Sequence, residues 1–219
     1  MTESVTEPAL ASDGRIIGAR AHRTRRRLLD ATAKLLEERG ALGLRVVDIT
    51  REVGTSPATF YQYFPDVEAA IVVLAEEMAK QGRKFGEHVR ATTWKGRVGY
   101  SACTELADQF ITFWEEHQPV LRVVDLATEE GDGRFANVRV HLLNDLYNAL
   151  AEAITEMKAS GRHPAEVDPM ATAGVLVSML AHVAAHRYGF EFWGVRTSDL
   201  RTSMARIIFW SVTGQKPPS

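Results

Sequence analysis

The residues around Gly54 combine the types and the spacing that contact DNA. Gly54 tolerates the left-handed backbone conformation that a tight turn between two helices requires. Ser56 is a favourable helix N-cap, and Pro57 suits the first position of the helix that follows. Tyr61 and Tyr63 then carry hydroxyl groups on rigid rings that can reach phosphates. The pattern is typical of a helix-turn-helix, whose second helix enters the major groove while the first crosses the backbone.

An excess of positive charge surrounds this motif. Ten Lys or Arg and five Asp or Glu lie between positions 15 and 65, in a chain whose net charge is −2. A basic segment on an otherwise acidic chain indicates a polyanionic partner at that segment. A solvated, charged helix end is the alternative interpretation of the same residues.

The rest of the chain must position this motif, and its apolar residues recur at helical spacing throughout. No stretch alternates apolar and polar residues as a strand does between hairpin turns. We therefore expect an all-α protein of about nine helices. The helices are predicted near positions 24–40, 46–54, 57–65, 67–88, 94–117, 119–129, 135–160, 168–188 and 198–213.

Two stretches resemble the DNA-binding domain of tetracycline-repressor-type (TetR/AcrR) transcriptional regulators. Residues 26–40 resemble the first helix of that family, and residues 46–54 and 56–65 resemble the helix-turn-helix. The resemblance implies a homodimeric repressor that binds a palindromic operator and is released by a small molecule. It also implies a DNA-binding domain over 20–66, a connecting helix over 67–90 and an effector-binding and dimerisation domain over 91–219. Residues 1–19 mix small, hydroxyl and acidic residues without periodicity, which predicts a flexible tail.

The resemblance assigns roles within the motif. Phosphate contacts are expected from Thr24, Thr59, Tyr61 and Tyr63, and base contacts from Val47, Pro57, Ala58 and Gln62. Of the base-facing residues only Gln62 has an amide, which can pair with adenine through two hydrogen bonds. Val67 stands where the family usually has a phosphate-binding lysine, so we expect arginines to supply the attraction. These are Arg20, Arg23, Arg25, Arg26, Arg27 and Arg45.

The region after position 90 carries many aromatic residues on its helical faces. They predict either ordinary core packing or a small-molecule site, which typically combines aromatic walls with a few polar groups. The candidate lining residues are Trp94, Tyr100, Phe110, Phe113, Trp114, Asp125, Asn144, Tyr147, Met179 and His182. This composition favours a hydrophobic or amphipathic effector.

The last two predicted helices carry more apolar surface than a terminal hairpin can bury, which indicates a partner surface. The resemblance places a dimer interface there, with the candidates Leu176, Val183, His186, Phe190, Trp193, Ile207 and Trp210. His182 and His186 share a helix face and could ligate a metal. No neighbouring acid or cysteine completes a ligand set, so the sequence by itself predicts no metal site and no cofactor.

Other functional classes find little support in the sequence. No phosphate-binding glycine loop, serine elbow or paired zinc motif is present, and the single cysteine, Cys103, has no neighbouring base. Residues 1–14 do not resemble a signal peptide, and no uninterrupted apolar run is long enough to span a bilayer. We therefore expect a cytoplasmic regulator and no catalytic residues. A helical adaptor or an enzyme that keeps the fold is the alternative, and activation remains open beside repression.

Overall fold

The computed structural model describes residues 18–40 and 43–218, and over this part of the chain it contains only helices. The predicted tail falls almost entirely outside the described residues. Within these two ranges there are ten α-helices: α1 (Ala19–Arg39), α2 (Val46–Val53), α3 (Pro57–Tyr61), α4 (Val67–Ala79), α5 (Arg83–Ala91), α6 (Gly96–Glu116), α7 (Gln118–Glu129), α8 (Gly133–Ala159), α9 (Pro169–Phe192) and α10 (Thr197–Thr213).

Helices α4 and α5 correspond to the single connecting helix that the sequence predicts. They are joined without a break by a short 3-10 helix, Lys80–Gly82. Counting the three segments as one element makes nine helices over the described residues, as predicted. The remaining boundaries agree within a few residues, except that α1 begins at Ala19 instead of near Thr24, and α9 continues to Phe192.

The chain separates into two compact units. The first contains the residues up to Glu77 together with Pro119–Ala136, and the second contains Met78–Gln118 and Asn137–Ser219. The first unit therefore includes α1 to α3, most of α4, and also α7. The larger second unit is formed by α5, α6, most of α8, α9 and α10.

Local sequence signals determine the turn in the first unit. Gly54 ends α2 in the left-handed conformation, with φ 71° and ψ 42°. The Ser56 hydroxyl caps α3 by accepting a hydrogen bond from the Thr59 amide at 3.2 Å. Pro57 occupies the first turn of α3, as its missing N–H allows. These features confirm the predicted helix-turn-helix geometry.

In the second unit, the 3-10 helix and α5 pack very closely against α8 through one glycine each. A Cβ atom added at Gly82 would lie 2.3 Å from the Leu142 carbonyl oxygen, and one at Gly86 would lie 2.1 Å from an Asp145 carboxylate oxygen. Arg90, one turn further along α5, binds Asp145 through two hydrogen bonds of 3.1 and 3.0 Å. The connecting helix is thus held to α8 by both backbone packing and an ion pair.

The helix α9 is bent near its end. His186 has φ −113° and ψ 15°, outside the helical region, and the adjacent Arg187 is buried. The Arg187 guanidinium pairs with Glu115 of α6 at 3.1 Å.

By length and composition, α9 is also the one helix among the described residues that could cross a membrane. His182, His186 and Arg187 interrupt its apolar character, and core helices of soluble proteins pass the same test.

Candidate nucleic-acid interface

Helix α3 has one buried side and one side that faces solvent. Phe60 is fully buried and packs against Phe64, with their ring centroids 5.5 Å apart. Pro57, Ala58 and Gln62 are exposed. The buried ring thus anchors α3 while the residues expected to face base edges remain accessible.

A polar groove of about 690 Å³ runs along one side of α3. It brings together Thr24 of α1 with Thr59, Gln62 and Tyr63, four of the residues predicted to contact DNA. Its remaining walls are Gly18, Ala19, Arg20, Ala21, Arg27, Val53, Gly54 and Thr55. Hydroxyl, amide and guanidinium groups therefore converge on a concave surface, which suits a phosphate backbone.

A second groove, of about 590 Å³, lies on the other side of α3. It brings Arg45 and Val47 of α2 together with Tyr61. Arg45 binds Asp48 at 3.1 Å, and this hydrogen bond holds the pKa of the Asp48 carboxyl below its usual value. Seven of the predicted DNA-contacting residues thus line one or the other groove, whereas Arg23, Arg25, Arg26, Pro57 and Ala58 line neither.

The arginines of α1 differ in their surroundings, which the sequence did not reveal. Arg26 pairs with Asp30 at 2.8 Å and with Glu77 at 2.7 Å, and the hydrogen bond to Glu77 raises its pKa. The Arg25 guanidinium lies 5.2 Å from the centre of the Phe64 ring, and burial lowers its pKa. Both side chains are thus engaged within the domain, whereas Arg23 is exposed.

Arg20 and Arg27, two of the arginines expected to supply the attraction for DNA, line the first groove. Arg27 also donates a hydrogen bond of 2.7 Å to the Val53 carbonyl oxygen, at the end of α2. Helical spacing agrees with this placement, because positions 20, 24 and 27 fall on one face of a helix.

Two family models match this chain, and together they cover most of it. The model "Bacterial regulatory proteins, tetR family" matches residues 28–70, which include the helix-turn-helix. The model "Tetracyclin repressor-like, C-terminal domain" matches residues 85–219. The chain belongs to the TetR family. This TetR-family transcriptional regulator therefore has the DNA-binding and C-terminal domains that the resemblance implied.

Solved structures share the fold of this TetR-family regulator at low sequence identity. The fatty acid degradation regulator FadR from Bacillus halodurans is 17% identical, with a TM-score of 0.62 over 89% of this chain and 97% of that chain. The transcriptional regulator FadR from Bacillus subtilis, solved in complex with stearoyl-CoA, is 16% identical, with a TM-score of 0.61 over 87% and 98%. GusR from Salmonella enterica is 19% identical, with a TM-score of 0.60 over 88% and 94%.

The residues predicted to line an effector site are distributed over different environments in this TetR-family regulator. Phe110, Phe113 and Trp114 are buried with Phe85, and the Phe110 and Trp114 rings stack at 4.7 Å. Asn144 and Tyr147 line a groove of about 300 Å³ between α8 and α9. The remaining candidates are placed separately: Trp94 is buried, Tyr100, Asp125 and Met179 are half-buried, and His182 is exposed.

The residues predicted to form a dimer interface also differ in exposure. Trp193, Trp210 and Ile207 are 73%, 62% and 46% exposed. Leu176 is buried within its own unit, so it supports the helix and not a partner surface. Of the remaining candidates, Val183 and Phe190 are half-buried and His186 is exposed.

Cys103 is buried, and its burial raises the thiol pKa to about 12, which makes nucleophilic use unfavourable.

Proposed function

We propose that this TetR-family regulator is a homodimeric repressor that acts on DNA in the cytoplasm and binds a palindromic operator. The observation that carries the proposal is the surface of α3, where Pro57, Ala58 and Gln62 are exposed and two grooves are lined by other residues predicted to contact DNA. Such a helix enters the major groove while the groups beside it bind the two phosphate backbones. The exposed Arg20 and Arg23 add positive charge on the same unit.

The proposed dimer forms through α9 and α10. Trp193, Trp210, Ile207 and Val175 are all large apolar side chains at least 46% exposed. Exposed apolar groups at this density are costly in water and favour burial against a second copy. A two-fold axis through this surface would give each operator half-site its own recognition helix.

The proposed effector is hydrophobic or amphipathic and binds within the second unit. The Trp114 indole N–H is buried and has no hydrogen-bond partner among the described residues, although it lies within an aromatic cluster. A buried donor of this kind is stabilised by any ligand that brings an acceptor. Bacillus subtilis FadR, which shares this fold, was solved with stearoyl-CoA, so long-chain acyl thioesters are the first compounds to test.

Selection of bound DNA from a random pool tests the operator proposal. We expect two inverted half-sites whose centres lie about one helical turn, or ~10 base pairs, apart or at a multiple of that spacing. Enrichment of a single asymmetric site, or of no sequence at all, would contradict a palindromic operator.

Release of the selected DNA tests the effector proposal. Stearoyl-CoA, stearate and free coenzyme A are compared in an electrophoretic or anisotropy assay, and the same series is repeated with Trp114→Phe. We expect an apolar chain to be required for release. Equal release by free coenzyme A, or none by any apolar compound, argues against a hydrophobic effector.

A further inference from the structure

The end of α9 carries large aromatic side chains that its own chain leaves in solvent. Phe192 is 88% exposed, the highest value among the large apolar residues in the described part of the chain. Its neighbour Trp193, and Tyr188 one turn earlier, are also more than half exposed. Exposed apolar surface of this size is unfavourable in water and typically marks a contact with a partner.

A groove of about 300 Å³ lies between α8 and α9, near the other end of α9. Apolar and aromatic side chains form much of its lining: Val140, Leu143, Tyr147 and Val177. Val140, on the α8 side, is 59% exposed, so one chain alone does not cover this wall. The volume is at the lower limit of the ~300–1,000 Å³ that is typical of small-molecule sites. The groove therefore suits one aromatic side chain and is small for an acyl-CoA.

Gly174 keeps this groove open on the α9 side. A Cβ atom added there would meet nothing closer than a Tyr147 ring carbon at 3.8 Å. There is thus room beside the helix for atoms of another group.

Helical spacing places Gly174 and Phe192 on the same flank of α9. They are 18 positions apart, which is five turns at 3.6 residues per turn. Exposed positions continue at intervals of three and four through the bend at His186, from Val175 to Trp193, so the bend preserves this flank. The two positions are separated by about 27 Å along the helix, so Phe192 cannot reach the groove of its own chain.

A two-fold axis brings the groove and the aromatic end together. This step rests on the proposed dimer, with α9 packed antiparallel along α9 of the second copy. Rotation about an axis between the helices and perpendicular to both keeps the same flank of each helix on the same side of the pair. Positions equally distant from the axis then lie beside each other.

The position of that axis agrees with the exposed face of α9. Halfway between Gly174 and Phe192 is position 183. The exposed face of α9 extends from Ala171 to Trp193, and its middle is position 182. An axis at the centre of this face therefore places Phe192 of each copy within about one position of the other copy's groove.

We propose that Phe192 of each protomer inserts into the groove between α8 and α9 of the other protomer, which extends the dimer interface onto α8. The exchange is reciprocal, so the contact forms twice per dimer and closes the two-fold assembly. An exposed ring and an apolar groove both lose contact with water, which favours association. Ser178 lines the groove and also belongs to the exposed face of α9, so the groove is continuous with the proposed interface.

Sedimentation of Phe192→Ala and of Val140→Asp tests the exchange. The first variant removes the inserted ring, and the second places a carboxylate in the wall of the groove. Each should raise the dimer dissociation constant at least about tenfold, because the contact is lost twice per dimer. Both side chains are more than half exposed, so the monomers should fold normally. Val98→Asp, an exposed valine on α6, is the control and should have no effect.

The combined variant tests whether Phe192 and Val140 share one contact. If Phe192 occupies the groove, Phe192→Ala already empties it. Adding Val140→Asp should then raise the dissociation constant by less than the product of the two separate changes. Effects that multiply would place the two residues in separate contacts and overturn the exchange.

The remaining outcomes separate the exchange from the proposed dimer. A dimer that is disrupted by Ile207→Asp but unaffected by Phe192→Ala and Val140→Asp overturns the exchange and leaves the dimer standing. Loss of DNA release by stearate in Val140→Asp, with an unchanged dimer constant, assigns the groove to the effector and also overturns the exchange. A protein that stays monomeric at micromolar concentration overturns both the dimer and the exchange.

Discussion

At the scale of single residues, the proposed DNA-facing surface has different groups for base specificity and for phosphate attraction. Gln62 is the one amide among the residues expected to face base edges, since Val47, Pro57 and Ala58 offer only apolar contacts. Tyr63 shares a groove with Gln62 but carries a hydroxyl suited to a phosphate. Replacing Gln62 and replacing Tyr63 should therefore weaken DNA binding in two different ways.

Gln62→Ala should relax the base preference at one position of each half-site. A bidentate pair with adenine contributes about 1–3 kcal/mol of discrimination, which disappears with the amide. Affinities for single-base operator variants measure this directly, and Tyr63→Phe is the matched control that should weaken all variants equally. A uniform decrease in affinity in Gln62→Ala would show that Gln62 binds the backbone.

Arg23→Ala should flatten the salt dependence of operator binding more than Arg26→Ala does. Arg23 is exposed, whereas the Arg26 guanidinium is already paired with Asp30 and Glu77. Removing one cation that neutralises a phosphate lowers the log–log salt slope by about 0.9. Arg97→Ala, an exposed arginine in the second unit, is the control and should leave the slope unchanged. An unchanged slope in Arg23→Ala would exclude phosphate binding by Arg23.

At the scale of elements, the close packing of α5 on α8 depends on the absence of a side chain at Gly82. The position has ordinary helical angles, with φ −62° and ψ −22°, so alanine is acceptable to the backbone itself. What excludes alanine is the Leu142 carbonyl oxygen, 2.3 Å from the added Cβ atom, which cannot rotate away as a side chain would.

Gly82→Ala should therefore destabilise the protein by about 1–3 kcal/mol, the usual cost of overpacking. Gly174→Ala is the matched control within α9. Its Cβ atom would meet nothing closer than a Tyr147 ring carbon at 3.8 Å. It should be neutral or stabilising by roughly 0.5–1 kcal/mol. Urea unfolding followed by circular dichroism measures both, and destabilisation of equal size would contradict the close packing of the two helices.

At the scale of the whole molecule, charge and apolar surface are segregated along the chain. The positive excess lies around the helix-turn-helix, and the large exposed apolar side chains are concentrated on α9 and α10. Under the proposed function, DNA binding and protomer association therefore use different parts of the chain. Variants at one surface should accordingly leave the other intact.

Ile207→Asp should raise the dimer dissociation constant at least about tenfold, equivalent to ~1.4 kcal/mol. An unpaired carboxylate in a buried interface is costly, whereas Ile207 is 46% exposed within one chain and the monomer should fold normally. Val98→Asp is the control, because Val98 is 66% exposed on α6, outside the proposed interface. Equal sedimentation behaviour of both variants would exclude α10 from the interface.

Much of the fold could be predicted because its signals are local. The helix periods, the turn at Gly54 and the cap at Ser56 depend on residues at most four positions apart, and the structure has them where the sequence indicated. The family resemblance rests on the same local pattern. By itself, therefore, the sequence determined an all-α regulator with a helix-turn-helix.

Only the tertiary structure decided how equivalent residues are used. Arg26 has one partner within its own helix, Asp30, but its second partner, Glu77, is 51 positions away in the chain, and no local pattern predicts that contact. In the same way, α9 buries Arg187 against Glu115 and leaves His186 in solvent, although the two are adjacent. Burial and ion pairing depend on interactions between distant segments. Local periodicity therefore identified the elements, and packing determined which side chains remain free to bind.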